Sequence, residues 1–109
     1  MVVSMILLIV ELPETSTLKD KRSIIQGIKS KLHHKFNISS AEVDLQDTAA
    51  FAEIGGALVS NSKVFGEKVM HSAAQFVEDY FPVRIQSLQV YSEIFDERGS
   101  YESYEAEIH

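Results

Sequence analysis

The stretch LKDKRSIIQGIKSKLHHKF, Leu18 to Phe36, carries the clearest periodic signal in the chain. Leu18, Ile25, Ile28, Leu32 and Phe36 recur at helical steps, so on a helix of 3.6 residues per turn they share one stripe. The spacing predicts a helix whose apolar side packs on a core, each buried side chain contributing about 1.5–3 kcal/mol. A second row, Lys19, Arg22, Gln26, Lys29 and His33, steps by three and four along one flank of that stripe. The stretch holds six Lys or Arg against Asp20 alone, a local charge of +5 in a chain of net charge −6, so the remainder carries −11. Such a row is either a solvated rim whose long stems cover apolar atoms or a phosphate-contacting edge. The candidate RNA- or phosphate-binding residues are therefore Lys19, Arg22, Lys29 and His33.

On the N-terminal side, MVVSMILLIVELP reads as a strand, Val3 to Leu12, that Pro13 ends. Ile6, Leu8, Val10 and Leu12 form one face, and Leu7 and Ile9 the other. Apolar residues on both faces predict that both are covered. In a small domain the helices roof one side, so a second copy is expected on the other, with Leu7 and Ile9 at a dimer interface. About ten apolar residues are too few to span a bilayer. Without a basic leader or a small-residue cleavage site, the segment predicts a cytoplasmic protein with no membrane partner.

On the C-terminal side, Thr15, Ser16 and Thr17 offer caps for the helix start, and Asn37 offers a left-handed end. Ala41, Val43 and Leu45 then alternate with Ser40, Glu42, Asp44 and Gln46, which predicts a half-buried strand. Asp47 and Thr48 supply a turn, and Ala49 to Ser60 is its antiparallel partner, with Gly55 and Gly56 marking a bulge, a bend or a close approach. A second helix from Ser62 to Tyr80, capped by Asn61 or Ser62, sets Phe65, Val69, Ala73, Phe76 and Tyr80 on one face. Pro82 stops it. The last strand, Val83 to Asp96, changes phase near Ser87, as a β-bulge would make it. The order β-α-β-β-α-β is the split βαβ arrangement, an α+β fold with a four-stranded antiparallel sheet and two helices on one face. One domain over 1–96 is expected, followed by an acidic tail over 97–109 of charge −3 that either solvates the end or folds back onto a basic edge.

At 109 residues the chain is long enough for one core, and a hydrophobic fraction of 45% argues against disorder. There is no cysteine, which excludes disulfides, thiolate metal sites and a thiol nucleophile. Glu42, Asp44 and Asp47 read as a polar strand face, since a hard-cation site needs several converging oxygens. His33 and His34 are adjacent and diverge on a helix, His71 stands on the outer side of the second one, and no HxxxH spacing exists. Neither a nucleophile elbow nor a phosphate loop is present. No catalytic residue, metal or cofactor is expected, and the chain does not read as an enzyme.

Three blocks, TSTLKDKR at Thr15 to Arg22, FNISSAEVDLQD at Phe36 to Asp47 and AEIGGALVSN at Ala52 to Asn61, are similar to the YlxP-like family, small bacterial proteins of unassigned function. The resemblance implies a ferredoxin-like fold and a homodimer. Members are often encoded among genes for transcription, translation initiation and ribosome maturation, which implies a role near RNA. The expected partner is accordingly a ribosomal particle, RNA or a translation factor, with no DNA. The alternative is a dimeric module for protein–protein interaction with no nucleic-acid role.

Overall fold

In the computed structural model, which describes residues 1–95, every second residue of the first strand, β1 (Val2–Glu11), is buried. Val2, Ser4, Ile6, Leu8 and Val10 face the helices, while Val3, Met5, Leu7 and Ile9 point to the opposite side. The elements that follow are α1 (Leu18–Phe36), β2 (Ser39–Asp44), β3 (Phe51–Ser60), α2 (Lys63–Tyr80) and β4 (Arg84–Ile94). All pairings are antiparallel in the order β2-β3-β1-β4, the ferredoxin-like arrangement that the sequence pattern predicts. The acidic segment 97–109 lies outside the described residues.

The local signals act where expected. Thr17 Oγ1 accepts from Asp20 N at 3.1 Å, and Ser62 Oγ accepts from Phe65 N at 3.1 Å. Asn37 closes α1 at φ 58°, its N–H donating to His33 O at 3.1 Å. The β1–β4 register slips between Ile9 and Val10, opposite Ser87 and Ile85, which is the bulge that the phase change announces. Gly56 leaves room for Ile38, the first apolar residue after α1: a Cβ there would lie 2.8 Å from Ile38 Cγ2.

Two faces differ from expectation. On α2 the core side is Gly66, Met70, Ala73, Ala74 and Val77, whereas Phe65 is 55% and Tyr80 73% exposed and Phe76 is half-buried. The helix is rotated so that its small residues meet the sheet, because α2 sits close against β1 at Gly66. A Cβ on Gly66 would overlap Ser4 Oγ and lie 2.9 Å from Ser4 Cβ, and Ser4 Oγ is itself bound to Ser92 Oγ at 2.8 Å. Gly66→Ala is therefore expected to destabilise the fold by about 1–2 kcal/mol, overpacking outweighing alanine's helix preference of about 1 kcal/mol. A lower urea midpoint checks this, and Ser4→Ala in the same chain should restore part of the loss. On β2 the alternation holds, but its sense is reversed: Ser40 and Glu42 face the helix side, and Ala41 and Val43, the latter 50% exposed, face away.

Candidate functional site

Three of the five predicted stripe residues, Ile25, Ile28 and Leu32, are buried, and they fix the rotation of α1. Leu18 is exposed and Phe36 half-buried. With that rotation Lys19, Arg22, Gln26, Lys29 and His33 run along the flank nearer β2. Between α1 and β2 lies a groove of about 440 Å³, lined by Gln26, Lys29, Ser30, His33, His34, Ile38, Ser39 and Ser40. Ile38 is its buried apolar floor, and Ser39 and Ser40 come from an edge strand paired only with β3. His34 Nδ1 lies 2.9 Å from Ser30 O, and the His33 ring stands edge-on to it at 5.0 Å.

The structure thus brings Lys29 and His33 together in the groove and leaves Lys19 and Arg22 outside it. At 1.5 Å rise per residue they sit roughly 15 and 10 Å back along the helix from Lys29. The arrangement is a track rather than an enclosed pocket. Among the described residues no carboxylate is within ion-pair distance of Lys19, Arg22 or Lys29. An extended polyanion meets several donors on such a track in turn; a small metabolite would meet at most the Lys29 end.

One lysine of the helix behaves differently. Lys21 is 2% exposed, its Nζ donates to Leu45 O and Thr48 O at 2.7 Å each, and it lies 2.7 Å from Glu42 Oε2. That carboxylate oxygen has no hydrogen-bond partner among the described residues, so its contact with the ammonium is Coulombic in character. The loop after β2 is wrapped around the charge: Leu45 takes φ 65°, Leu45 N donates to Asp44 Oδ1 at 2.8 Å, and Thr48 N returns to Leu45 O at 3.3 Å. Lys21 and Glu42 are therefore no part of the charge that a partner meets. The solvent side of α1 keeps Lys19, Arg22, Lys29, Lys31 and Lys35 against Asp20. The signal was present in the spacing, since Leu18, Lys21, Ile25, Ile28 and Leu32 step by 3, 4, 3 and 4, which puts a lysine inside the apolar stripe.

A second surface lies on the far side of the sheet. Leu7 and Ile9, with Val3 and Met5, run down its centre between Gly55, Ala57 and Val59 of β3 and Tyr91 of β4. A shallow depression of about 340 Å³ is bounded by Met5, Leu7, Gly55, Gln89 and Tyr91. No described helix or loop covers it, and Glu53 and Glu93, opposite Ile9 and Val3, give it an acidic margin.

Among the described residues no group of three or more His, Cys, Asp or Glu is placed to hold a metal ion, and no helix is long and apolar enough to cross a membrane. A family profile described as a protein of unknown function (DUF503) matches residues 3–90. The chain is also 33% identical over 67 residues to the uncharacterized protein YlxP of Bacillus subtilis (strain 168), which covers 62% of this chain and 73% of that protein.

Proposed function

The chain belongs to the DUF503 family, and from that premise we propose that it is a non-enzymatic accessory protein that associates with RNA, or with an RNA-bearing particle such as the ribosome, through the solvent side of α1. The observation that carries this reading is the imbalance on that side, four exposed cations and the half-buried Lys29 against one carboxylate, with Lys29 and His33 in a groove whose other wall is an edge strand. Net charge opposes it less than the total suggests. Residues 1–95 hold nine Lys or Arg and eleven Asp or Glu, a net −2, and residues 96–109 supply the other −4. Within a Debye length of about 8–10 Å, the cations of α1 dominate the field that a phosphate meets.

The test is charge reversal. Lys19→Glu, Arg22→Glu and Lys29→Glu together are expected to abolish co-sedimentation with ribosomal particles. They should also flatten the dependence of log K on log salt by about 2–3 units, roughly one for each phosphate that is no longer neutralised. Unchanged co-sedimentation of the triple variant overturns the reading. The open sheet face favours a second one, a homodimeric module, held by Leu7 and Ile9, that recruits protein alone. Capture from lysate with and without nuclease separates the two: loss on nuclease treatment supports the first, and persistence the second.

A further inference from the structure

The rings that α2 exposes converge with a lysine of α1 on the flank opposite the basic row. Tyr80, in the last turn of α2, lies on Phe76 with centroids 4.4 Å apart and planes 21° from parallel. Phe76 in turn meets Phe36 of α1 edge-on at 5.6 Å and Phe81 at 6.5 Å. Phe81 is seated against Gly27, where a Cβ would stand 3.0 Å from its Cε1, so the helix backbone backs the cluster. Lys35 Nζ sits 5.2 Å from the Phe76 centroid and 5.8 Å from that of Phe36. Lys31, exposed one turn earlier, shares its row. The two carboxylates of the same α2 turn are exposed and keep their charge, each held by a neutral donor: Glu78 Oε2 accepts from Ile85 N at 3.0 Å, and Asp79 Oδ1 accepts from Gln75 Nε2 at 2.9 Å.

We propose that this ledge is a stacking platform for an unpaired nucleobase, and that the polyanion crossing α1 is single-stranded RNA rather than a duplex. The inference rests on the reading of α1 as an RNA-binding surface and specifies the form of RNA. Tyr80, 73% exposed with one side on Phe76, presents its other side to solvent, and every base has a π face to lay on it. Lys31 and Lys35 stand where the phosphates flanking such a base would pass. The strand then crosses the helix, a width of about 10–12 Å, to the Lys29 and His33 groove. Paired bases are stacked within the helix and have no free face to offer, so a duplex gains only the phosphate contacts. No strand carries an aromatic-plus-basic pattern; the fold assembles one from α1, α2 and the residue after it.

Fluorescence anisotropy with a labelled oligouridylate and an RNA duplex of equal length tests this on wild type, Tyr80→Ala, Tyr80→Phe and the Lys19, Arg22, Lys29 triple Glu variant. Stacking is worth roughly tenfold to a hundredfold per base, so Tyr80→Ala should weaken oligouridylate binding about tenfold or more and leave the duplex unchanged. Tyr80→Phe, which keeps the ring, should bind as wild type. Because Tyr80 is exposed, an unaltered circular dichroism melt shows that the loss is not unfolding. Oligouridylate affinity unchanged in Tyr80→Ala, while the triple variant loses binding, overturns the platform and leaves the basic surface standing. Binding of neither probe by the wild type overturns both readings. Binding of neither, joined to a Tyr80-dependent and nuclease-resistant capture of a lysate protein, overturns the platform in favour of a protein partner.

Discussion

Lys21→Met is expected to lower the stability of the fold by about 3–5 kcal/mol, a large fraction of the roughly 5–15 kcal/mol typical of a domain. The ammonium sits between three oxygens at 2.7 Å, and its removal strands Thr48 O and Glu42 Oε2 and leaves Leu45 O with only the 3.3 Å bond from Thr48 N. Each orphaned buried acceptor costs about 1–3 kcal/mol. Thr48 O and the weakened Leu45 O carry most of the loss, since Glu42 keeps 20% of its side-chain surface in water and can turn toward it. Glu42→Gln, which leaves both carbonyl bonds to Lys21, should therefore cost less, and its effect should shrink further when Lys21 is already methionine. Arginine should not rescue the site, because a planar fork does not fit a pocket shaped for a point charge. Urea unfolding followed by circular dichroism measures the series. Accelerated amide exchange at Leu45 and Thr48 in Lys21→Met would locate the damage in the loop. A midpoint for Lys21→Met equal to that of the surface control Lys31→Met sinks the account.

In light scattering the protein is expected to appear as a dimer at micromolar concentration, and Leu7→Glu with Ile9→Glu as a monomer. These side chains point away from the core, so the spectrum of the folded domain should survive the change. A stable association buries on the order of 800 Å² per partner, and the centre of such a patch tolerates charge poorly. Desolvating one unpaired carboxylate costs several kcal/mol, which raises the dissociation constant by about a thousandfold or more. The acidic margin adds a discriminating feature. Each copy carries Glu53 and Glu93 on this face and an apolar centre, so added salt should not weaken the dimer as it weakens RNA binding. A wild-type monomer at either salt concentration removes the dimer from the proposal.

What the sequence made legible was local or periodic. The caps at Thr17, Asn37 and Ser62, the stripe of α1 and the bulge opposite Ser87 each depend on neighbours within a turn or on alternation. The misread positions depend on partners far along the chain. Alternation in β2 separates Ala41 and Val43 from Ser40 and Glu42, but which set faces inward follows from pairing with β3 and from the pull of Lys21 on Glu42. On α2 the largest apolar residues suggested the core face. Instead, close approach at Gly66 selected the small ones and turned Phe65 and Tyr80 outward. Of the candidate basic residues, Lys29 and His33 converge and Lys19 and Arg22 extend the row. The aromatic ledge is only half legible: Phe76 and Tyr80 share a helix face in the sequence, where they read as core, and Lys35 and Phe36 join them from about forty positions away.

The pairing of Ser4 with Ser92, 88 positions apart, has a temporal side. Because β1 is flanked by β3 and β4, it receives its first neighbour only when β3 has been made and its second only when β4 has. Closing so large a loop is slow and leaves the middle strand with a bare rim in the interval. Any chain in which β4 has not yet paired leaves β1 as the border of a three-stranded β2-β3-β1 sheet, and that border is open to mispairing until the eleven-residue strand docks.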